Sequence, residues 1–288
     1  MDSVLQSIND WIMDLLVSGV MFNLTAIFDG VNMQVDQVAT DIGMSPVDFQ
    51  PAIFNLIKNL SENVITPIAG LILTFIACYE LIQLVIGHNN LANFETWIFF
   101  KWVFKTFIGV VLISNTMDIC MAVFDVAQYV VNQSAGVISG TTAIDVSTLL
   151  TMQSTLESMN IAELIGIFFQ TSIIYVLMVL LSILIFVIVY ARMIEIYLTV
   201  SLAPIPFATF ANKEQSMIGQ NYLRSLFALG FQGFLIMVCV GIYAVLIKQA
   251  AFTTDILGSL WSATGYTILL LFTLFKTGSL SKSIFHAH

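Results

Sequence analysis

Five charged side chains stand in or beside long apolar runs: Glu80, Lys101, Lys105, Arg192 and Glu195. A charge carried into hydrocarbon is costly, so such groups mark either function or a pairing that neutralises them. Arg192 and Glu195 are three residues apart, and Lys101 and Lys105 are four apart. On a helix both spacings place side chains on one face, where Arg192 and Glu195 can meet. The chemistry open to this set is ion pairing or contact with a charged partner. Two readings stand. In one, long side chains snorkel and pair locally, holding helix ends at a membrane interface. In the other, the five charges build an inner vestibule or a subunit contact. No carboxylate sits in the middle of an apolar run, where the proton relay of a pump would need it.

Bond-making chemistry finds no foothold. The three histidines, His88, His286 and His288, lie outside the apolar runs. No phosphate-binding loop, dinucleotide fingerprint or zinc-protease motif is present. Cys78, Cys120 and Cys239 are odd in number and lack metal-ligand spacing, and they read as apolar thiols. No catalytic, cofactor-binding or metal site is expected, and the chain does not read as an enzyme. A basic stripe of the kind that binds nucleic acid is also missing.

The elements that carry these residues are membrane helices. Residues 161–190, IAELIGIFFQTSIIYVLMVLLSILIFVIVY, hold no charge between Glu163 and Arg192. At ~1.5 Å per residue such a run exceeds the ~30 Å of a hydrocarbon core. Charged residues make up 9% of the chain and hydrophobic ones 58%, with a mean hydropathy of +0.94; soluble domains carry roughly 25% charge. We read an all-α polytopic membrane protein with about five spans, near 64–87, 96–115, 163–190, 223–247 and 259–276. They form one transmembrane domain over 63–288, preceded by an extracytoplasmic segment over 1–62. Pro67 falls near the start of the first span, where first-turn amides lack helical partners anyway.

Orientation follows from Lys and Arg, which accumulate on the cytoplasmic side. With the N-terminus outside and the C-terminus inside, Lys101, Lys105, Arg192, Lys213, Arg224, Lys276 and Lys282 fall at the inner face, leaving only Lys58 and Lys248 outside. The acids mirror this: residues 1–62 hold eight of them and a single base. No basic region precedes the first apolar helix, so no cleavable signal is expected. A sixth span over 193–211 would put Arg224, Lys276 and Lys282 on the wrong sides. Its two prolines, Pro204 and Pro206, favour instead a helix end followed by a bent segment near the inner face. The sequence APIPF is not expected to form a regular helix, because each proline restricts the residue before it. Irregular backbone at that depth must be shielded by protein, reach the interface or line water.

Three further features bear on packing. Val4, Leu5, Ile8, Trp11, Ile12, Leu15 and Leu16 recur at helical spacing, which makes the first 28 residues an amphipathic helix. It lies in the outer interface, packs on the protein or contacts neighbouring copies. Gly230, Gly233 and Gly241, with Ala228 and Ala244, form a small-residue face that allows close helix approach, within one subunit or between subunits. Residues 116–160 are too apolar for a plain loop and suggest a short helix from Met117 to Val131, then a break, then a second short helix capped at Asp145.

At these segments the chain resembles the TrbL-type (VirB-system) polytopic membrane subunit of conjugative type IV secretion systems, in the branch carried by Gram-positive mobile elements. The matching stretches are LSENVITPIAGLILTFIACYELI (60–82), MAVFDVAQYVV (121–131), ARMIEIYLTVSLAPIPFATFAN (191–212), NYLRSLFALGFQGFLIMVCVGIYAVLI (221–247) and LFKTGSLSKSIFHAH (274–288). The opening MDSVLQSIND is similar too. The resemblance implies a subunit of the bacterial cell (cytoplasmic) membrane that helps move a DNA–protein substrate, powered by separate ATPases. It also implies a homo-oligomeric ring, a pentamer, with an outer N-terminus and a cytoplasmic C-terminus. Expected partners are therefore further copies of the chain, other secretion subunits including the ATPases, membrane lipids and a transient DNA–protein substrate. The resemblance supplies no catalytic residues. The competing readings are a small-solute transporter, which usually shows inverted repeats around a mid-membrane site, and a structural anchor for the ATPases.

Overall fold

A computed structural model describes residues 2–87, 96–138, 146–250 and 256–287. His88, Asp145 and the proposed cap at Asp145 lie outside the described residues. All regular structure among the described residues is helical. Six helical stretches are long and apolar enough to cross a membrane: Gln6–Gly43, Pro51–Ile86, Thr96–Ser114, Ile161–Ala211, Ser216–Ala250 and Ile256–Ile284. Five overlap the expected spans, with Pro51–Ile86 and Ile161–Ala211 running well beyond them, and the additional one is the N-terminal helix.

That helix, α1 (Asp2–Gly43), is far longer than the 28 residues its amphipathic pattern suggests. Val4, Ile8, Trp11 and Leu15 of the stripe are exposed, whereas Val20, Leu24, Ile27, Val31, Val35, Val38 and Ile42 are buried further along. The second half of α1 therefore carries a core-facing seam, and its acids, Asp29, Asp36 and Asp41, interrupt the hydropathy without interrupting the helix. Ser45 caps the short α2 (Pro46–Phe49): its hydroxyl accepts from the Asp48 amide and donates to the Asp48 carboxylate.

The α3 helix (Pro51–Leu60), a π-helical turn (Ser61–Ile65) and α4 (Thr66–Gly87) follow one another without a break. Pro67 is thus inside a continuous helix rather than at its start. The wide turn accommodates it: Thr66 donates both its amide and its hydroxyl to the Ser61 carbonyl, shifting the ladder just before the residue that has no N–H. Only Asn115 separates α5 (Thr96–Ser114) from α6 (Thr116–Ile138). The latter is a full helix of 23 residues, not a short one. Met117, Cys120, Phe124, Ala127 and Val131 alternate at three and four residues and are buried, while Tyr129 is exposed. The next helix is α7 (Val146–Glu157). Asn160 opens α8 (Ile161–Ser201) by accepting from the Glu163 amide while Glu163 accepts from the Asn160 amide. The remaining helices are α9 (Pro204–Ala208), α10 (Ser216–Ala250) and α11 (Ile256–Ile284).

The chain divides into two compact units. The first comprises residues 1–43, 131–189 and 235–277. Within it α1 and α8 run in the same direction: the space beside Gly19 is filled by Phe168, and Asn23 donates to Thr171 and Ser172. Further along, Asp41 lines a groove together with Val189. Tyr243 and Thr267 share a buried hydrogen bond of 2.8 Å between α10 and α11. The second unit comprises residues 44–130, 190–234 and 278–288. Its core gathers Phe54, Cys120, Phe124, Met193, Ile196, Tyr197, Phe207, Leu226 and Leu229. A smaller cluster of Ala69, Leu73, Ile113, Ala208 and Ala211 ties α4 and α5 to the bent segment.

Candidate functional site

All five charges singled out by the sequence fall in the second unit, and they resolve into separate partnerships. Glu80 of α4 pairs with Lys105 of α5, beside a hydrogen bond from the Trp102 indole to the Ala77 carbonyl at 3.0 Å. Glu195 pairs with Lys282 of α11 at 2.9 Å, with both side chains 45% exposed. Lys101 is exposed. Arg192 is buried, and its guanidinium does not take the neighbouring Glu195 as a hydrogen-bonding partner. Instead Nη2 reaches the Leu229 and Gly230 carbonyls of α10, at 3.4 and 3.5 Å, and Nη1 lies 3.8 Å from the Met193 sulfur. Its Nε has no protein acceptor. The i,i+3 spacing thus allowed a pair that the fold does not use.

Gly230 makes this arrangement possible. A Cβ there would stand 3.0 Å from the Ala127 Cβ of α6, so α6 and α10 touch nearly backbone to backbone. Gly233 is buried in the same unit, and Gly241 is half-buried in the first unit. Ala228 and Ala244 are buried as well. Of the two uses open to the small-residue face, Gly230 serves packing within the subunit.

The bent segment follows Arg192 by three turns. Regular helix stops at Ser201, and Pro204 and Pro206 then sit in a new five-residue helix, α9, with Pro204 at its first position. The prolines therefore end α8, but they do not prevent helical geometry as expected for APIPF. Pro204 is tolerated because a first-turn residue needs no amide donor. The backbone of the bend is satisfied internally. Thr209 donates its hydroxyl to the Pro206 carbonyl and accepts from the Gly219 amide. Asn212 accepts from the amides of Glu214 and Gln215. Pro204, Phe207, Ala208, Thr209, Ala211 and Asn212 are buried. The irregular backbone of the bend is thus shielded by protein, one of the arrangements that membrane depth would demand. Gly219 is required by the close approach, since a Cβ would meet the Pro206 carbonyl at 2.9 Å.

Sequence reasoning overlooked the tyrosines that brace this region. The Tyr197 hydroxyl donates to the Pro46 carbonyl at 2.7 Å. The Tyr222 hydroxyl donates to the Thr199 carbonyl at 3.0 Å and lies 3.9 Å from Cys120 Sγ. Ser281 donates to the Ala228 carbonyl at 2.6 Å, fixing the end of α11. Their only signal in the sequence was a hydroxyl inside an apolar run. Cys120 is buried on α6, outside the six candidate spans, and desolvation pushes its thiol up to about 12 against a smaller opposing effect of the Tyr222 hydrogen bond.

Arg192, the proline break and the charged pairs form a packed joint whose backbone is satisfied internally. Residues 31–204 match the family model described as TrbL/VirB6 plasmid conjugal transfer like protein. The chain belongs to this family. The match covers more than half of the TrbL/VirB6-like chain and includes Glu80, Lys101, Lys105, Arg192, Glu195 and Pro204, while Pro206, Gly230, Gly233 and Gly241 lie beyond it. No curated protein and no solved structure matches the chain. Members of this family are membrane components of transfer systems, and the described residues of this chain include six helices long and apolar enough to cross a membrane.

Proposed function

We propose that this protein is a channel or platform subunit of a conjugative type IV secretion apparatus, helping a DNA–protein substrate across the bacterial cell membrane. The observation that carries the reading is the family match on a chain with six helices able to cross a bilayer. The protein works beside separate ATPases that supply the energy. It closes into a homo-oligomeric ring, a pentamer, because one bundle of this size leaves little room for a DNA strand and identical subunits usually close by rotation. The exposed apolar surface of α4 and α5 offers the ring contacts: Leu71, Phe75, Trp97, Phe104 and Phe107 all project outward there. Glu80, Lys101 and Lys105 border that surface, and Arg192 with Glu195 stiffens the joint behind it.

The orientation is N-terminus out and C-terminus in, from the Lys and Arg bias. With five crossings the α1 segment stays outside; a crossing by α1 as a sixth span would bring both termini to the inner face. Cysteines at residues 7 and 40 separate the two: labelling of both from outside supports the outer 1–62 segment, and labelling from opposite sides supports the crossing. Deletion of the gene from its mobile element tests the function itself. Transfer should be abolished while relaxase nicking persists, since a membrane conduit acts after DNA processing. Normal transfer frequency in the deletion strain would end the proposal. A small-solute transporter would instead leave conjugation untouched and alter uptake.

A further inference from the structure

The first unit contains a groove that the transfer function does not account for. It runs between α1 and α8, encloses about 200 Å³, and is lined by Gly30, Met33, Gln34, Asp41, Ser182 and Phe186, among others. Its walls are largely apolar, yet one side carries a ladder of polar groups: Gln34, Gln37 and Asp41, three and four residues apart on one face of α1. Gln34 is 8% exposed, and neither its amide nitrogen nor its amide oxygen has a partner. A buried, unpaired amide is costly in water and more so in hydrocarbon, where no solvent can rescue it. At Gly30 the groove is open, because a Cβ there would meet nothing within 4 Å.

We propose that this groove holds one amine-bearing zwitterionic phospholipid. The order of groups along α1 fits such a molecule from head to tail. Asp41 lies two residues from the end of the helix and presents a carboxylate to the ammonium. Gln34 lies about 10 Å deeper at helical rise, within reach of the glycerol ester region, with Gln37 between them. Beyond them Met33, Ile185, Phe186 and Gly30 leave an apolar slot for an acyl chain. The Gln34 amide, with three rotatable bonds, turns into the slot and donates to an ester carbonyl. Asp41 disfavours a net-anionic headgroup. The inference rests on α1 lying at membrane depth beside α8, which the cysteines at residues 7 and 40 test separately.

Full-length protein in mild detergent is titrated with dioleoyl phosphatidylethanolamine and, in parallel, with dioleoyl phosphatidylglycerol, and native mass spectrometry counts the lipids retained per chain. One phosphatidylethanolamine should remain under activation that strips phosphatidylglycerol. Gly30→Leu, whose Cβ has open space, reaches into the slot and should lower retention about tenfold, a change of ~1.4 kcal/mol. Asp41→Asn should equalise the two lipids while leaving a chain bound. Gln34→Met, which keeps the volume and removes the amide, should lower retention of both and decides the matter if Gly30→Leu fails to fold. Equal retention by wild type and all variants, or preference for phosphatidylglycerol, overturns the proposal. So does self-crosslinking from Met33→Cys, which would place a second copy in the groove.

Discussion

The α10–α11 hairpin and the α4–α5 hairpin are both made of long apolar helix, yet they use it in opposite ways. In α10 and α11, 50% and 44% of the apolar stretch is buried inside the chain; in the span ending with α4, and in α5, the shares are 22% and 11%. The first pair is welded by polar contacts between buried groups, such as Tyr243 with Thr267 and Ser281 with the Ala228 carbonyl. The second is joined by the Glu80–Lys105 pair and the Trp102 indole, and its outer surface is a continuous run of aromatic and branched side chains. Hydropathy treats the two alike. What separates them is where small and hydroxyl side chains fall, because these let helices approach and lock together without a hydrophobic driving force between helices in lipid.

The sharpest way to break the contrast is at Arg192. Arg192→Glu turns a donor to α10 carbonyls into a buried anion facing the same oxygens, an uncompensated buried charge that costs ~3–5 kcal/mol. Folded protein should be lost, measured as the monodisperse fraction after detergent extraction. Charge reversal at Lys101, exposed on α5, should leave that fraction unchanged. If Arg192→Glu were recovered in normal yield, the interior of the α8–α10 joint would have to be far more hydrated than its burial indicates.

A matched pair of glycines comes next. Gly230→Leu drives a branched side chain into Ala127 and should cost ~1–3 kcal/mol by overpacking. At Gly70 on α4 an added Cβ meets nothing within 4 Å, so Gly70→Leu should leave subunit stability intact or raise it by up to ~1 kcal/mol through helix propensity. Thermal denaturation in detergent reads both. If α4 carries ring contacts, Gly70→Leu lowers the oligomer fraction in native mass spectrometry while the melting temperature holds. A fall in both would show that α4 packs within the subunit.

These examples also show what was legible in the sequence. Five spans were readable, with limits within a few residues for α4 and α5, because uninterrupted apolar runs have few other uses. The length of α1 was obscured by Asp29, Asp36 and Asp41, which lower its hydropathy while sitting beside the buried seam. The extent of α6 was obscured because its seam of Met117, Cys120, Phe124, Ala127 and Val131 is amphipathic rather than apolar throughout. Among the site residues, Arg192 and Glu195 were singled out by their charge and spacing, but their partners lie 37 and 87 residues away in sequence, on α10 and α11. Spacing along one helix cannot reveal a partner supplied by another.

Smaller effects refine the same contrast. Tyr243→Phe removes a buried interhelical hydrogen bond and should cost about 0.6 kcal/mol, the usual scale for such bonds within membranes. The Glu195–Lys282 pair is half exposed and should be worth ~0–1 kcal/mol, falling with salt, so Lys282→Gln should barely move the melting temperature. A loss of several degrees that persists at high salt would mean that the tail of α11 is held in a less aqueous setting than its exposure implies.

The last prediction concerns Cys120, buried on α6 in the core of the second unit. Alkylation requires the thiolate. Desolvation holds the folded thiol neutral until about pH 12, against an ordinary value of 9.0. In a Cys78→Ser, Cys239→Ser background, maleimide should therefore modify Cys120 very slowly at pH 7, and the rate should keep rising through pH 9 to 11 instead of levelling off. The sign for stability follows from the same displacement. The unfolded thiol ionises first, so the neutral thiol's contribution is complete below about pH 9 and is lost progressively as pH climbs towards 12. Unfolding the protein should restore ordinary reactivity at neutral pH, which distinguishes a buried thiol from one blocked by modification. Rapid labelling of native protein at pH 7, with a plateau near pH 9, would show that the α6–α10 contact opens readily.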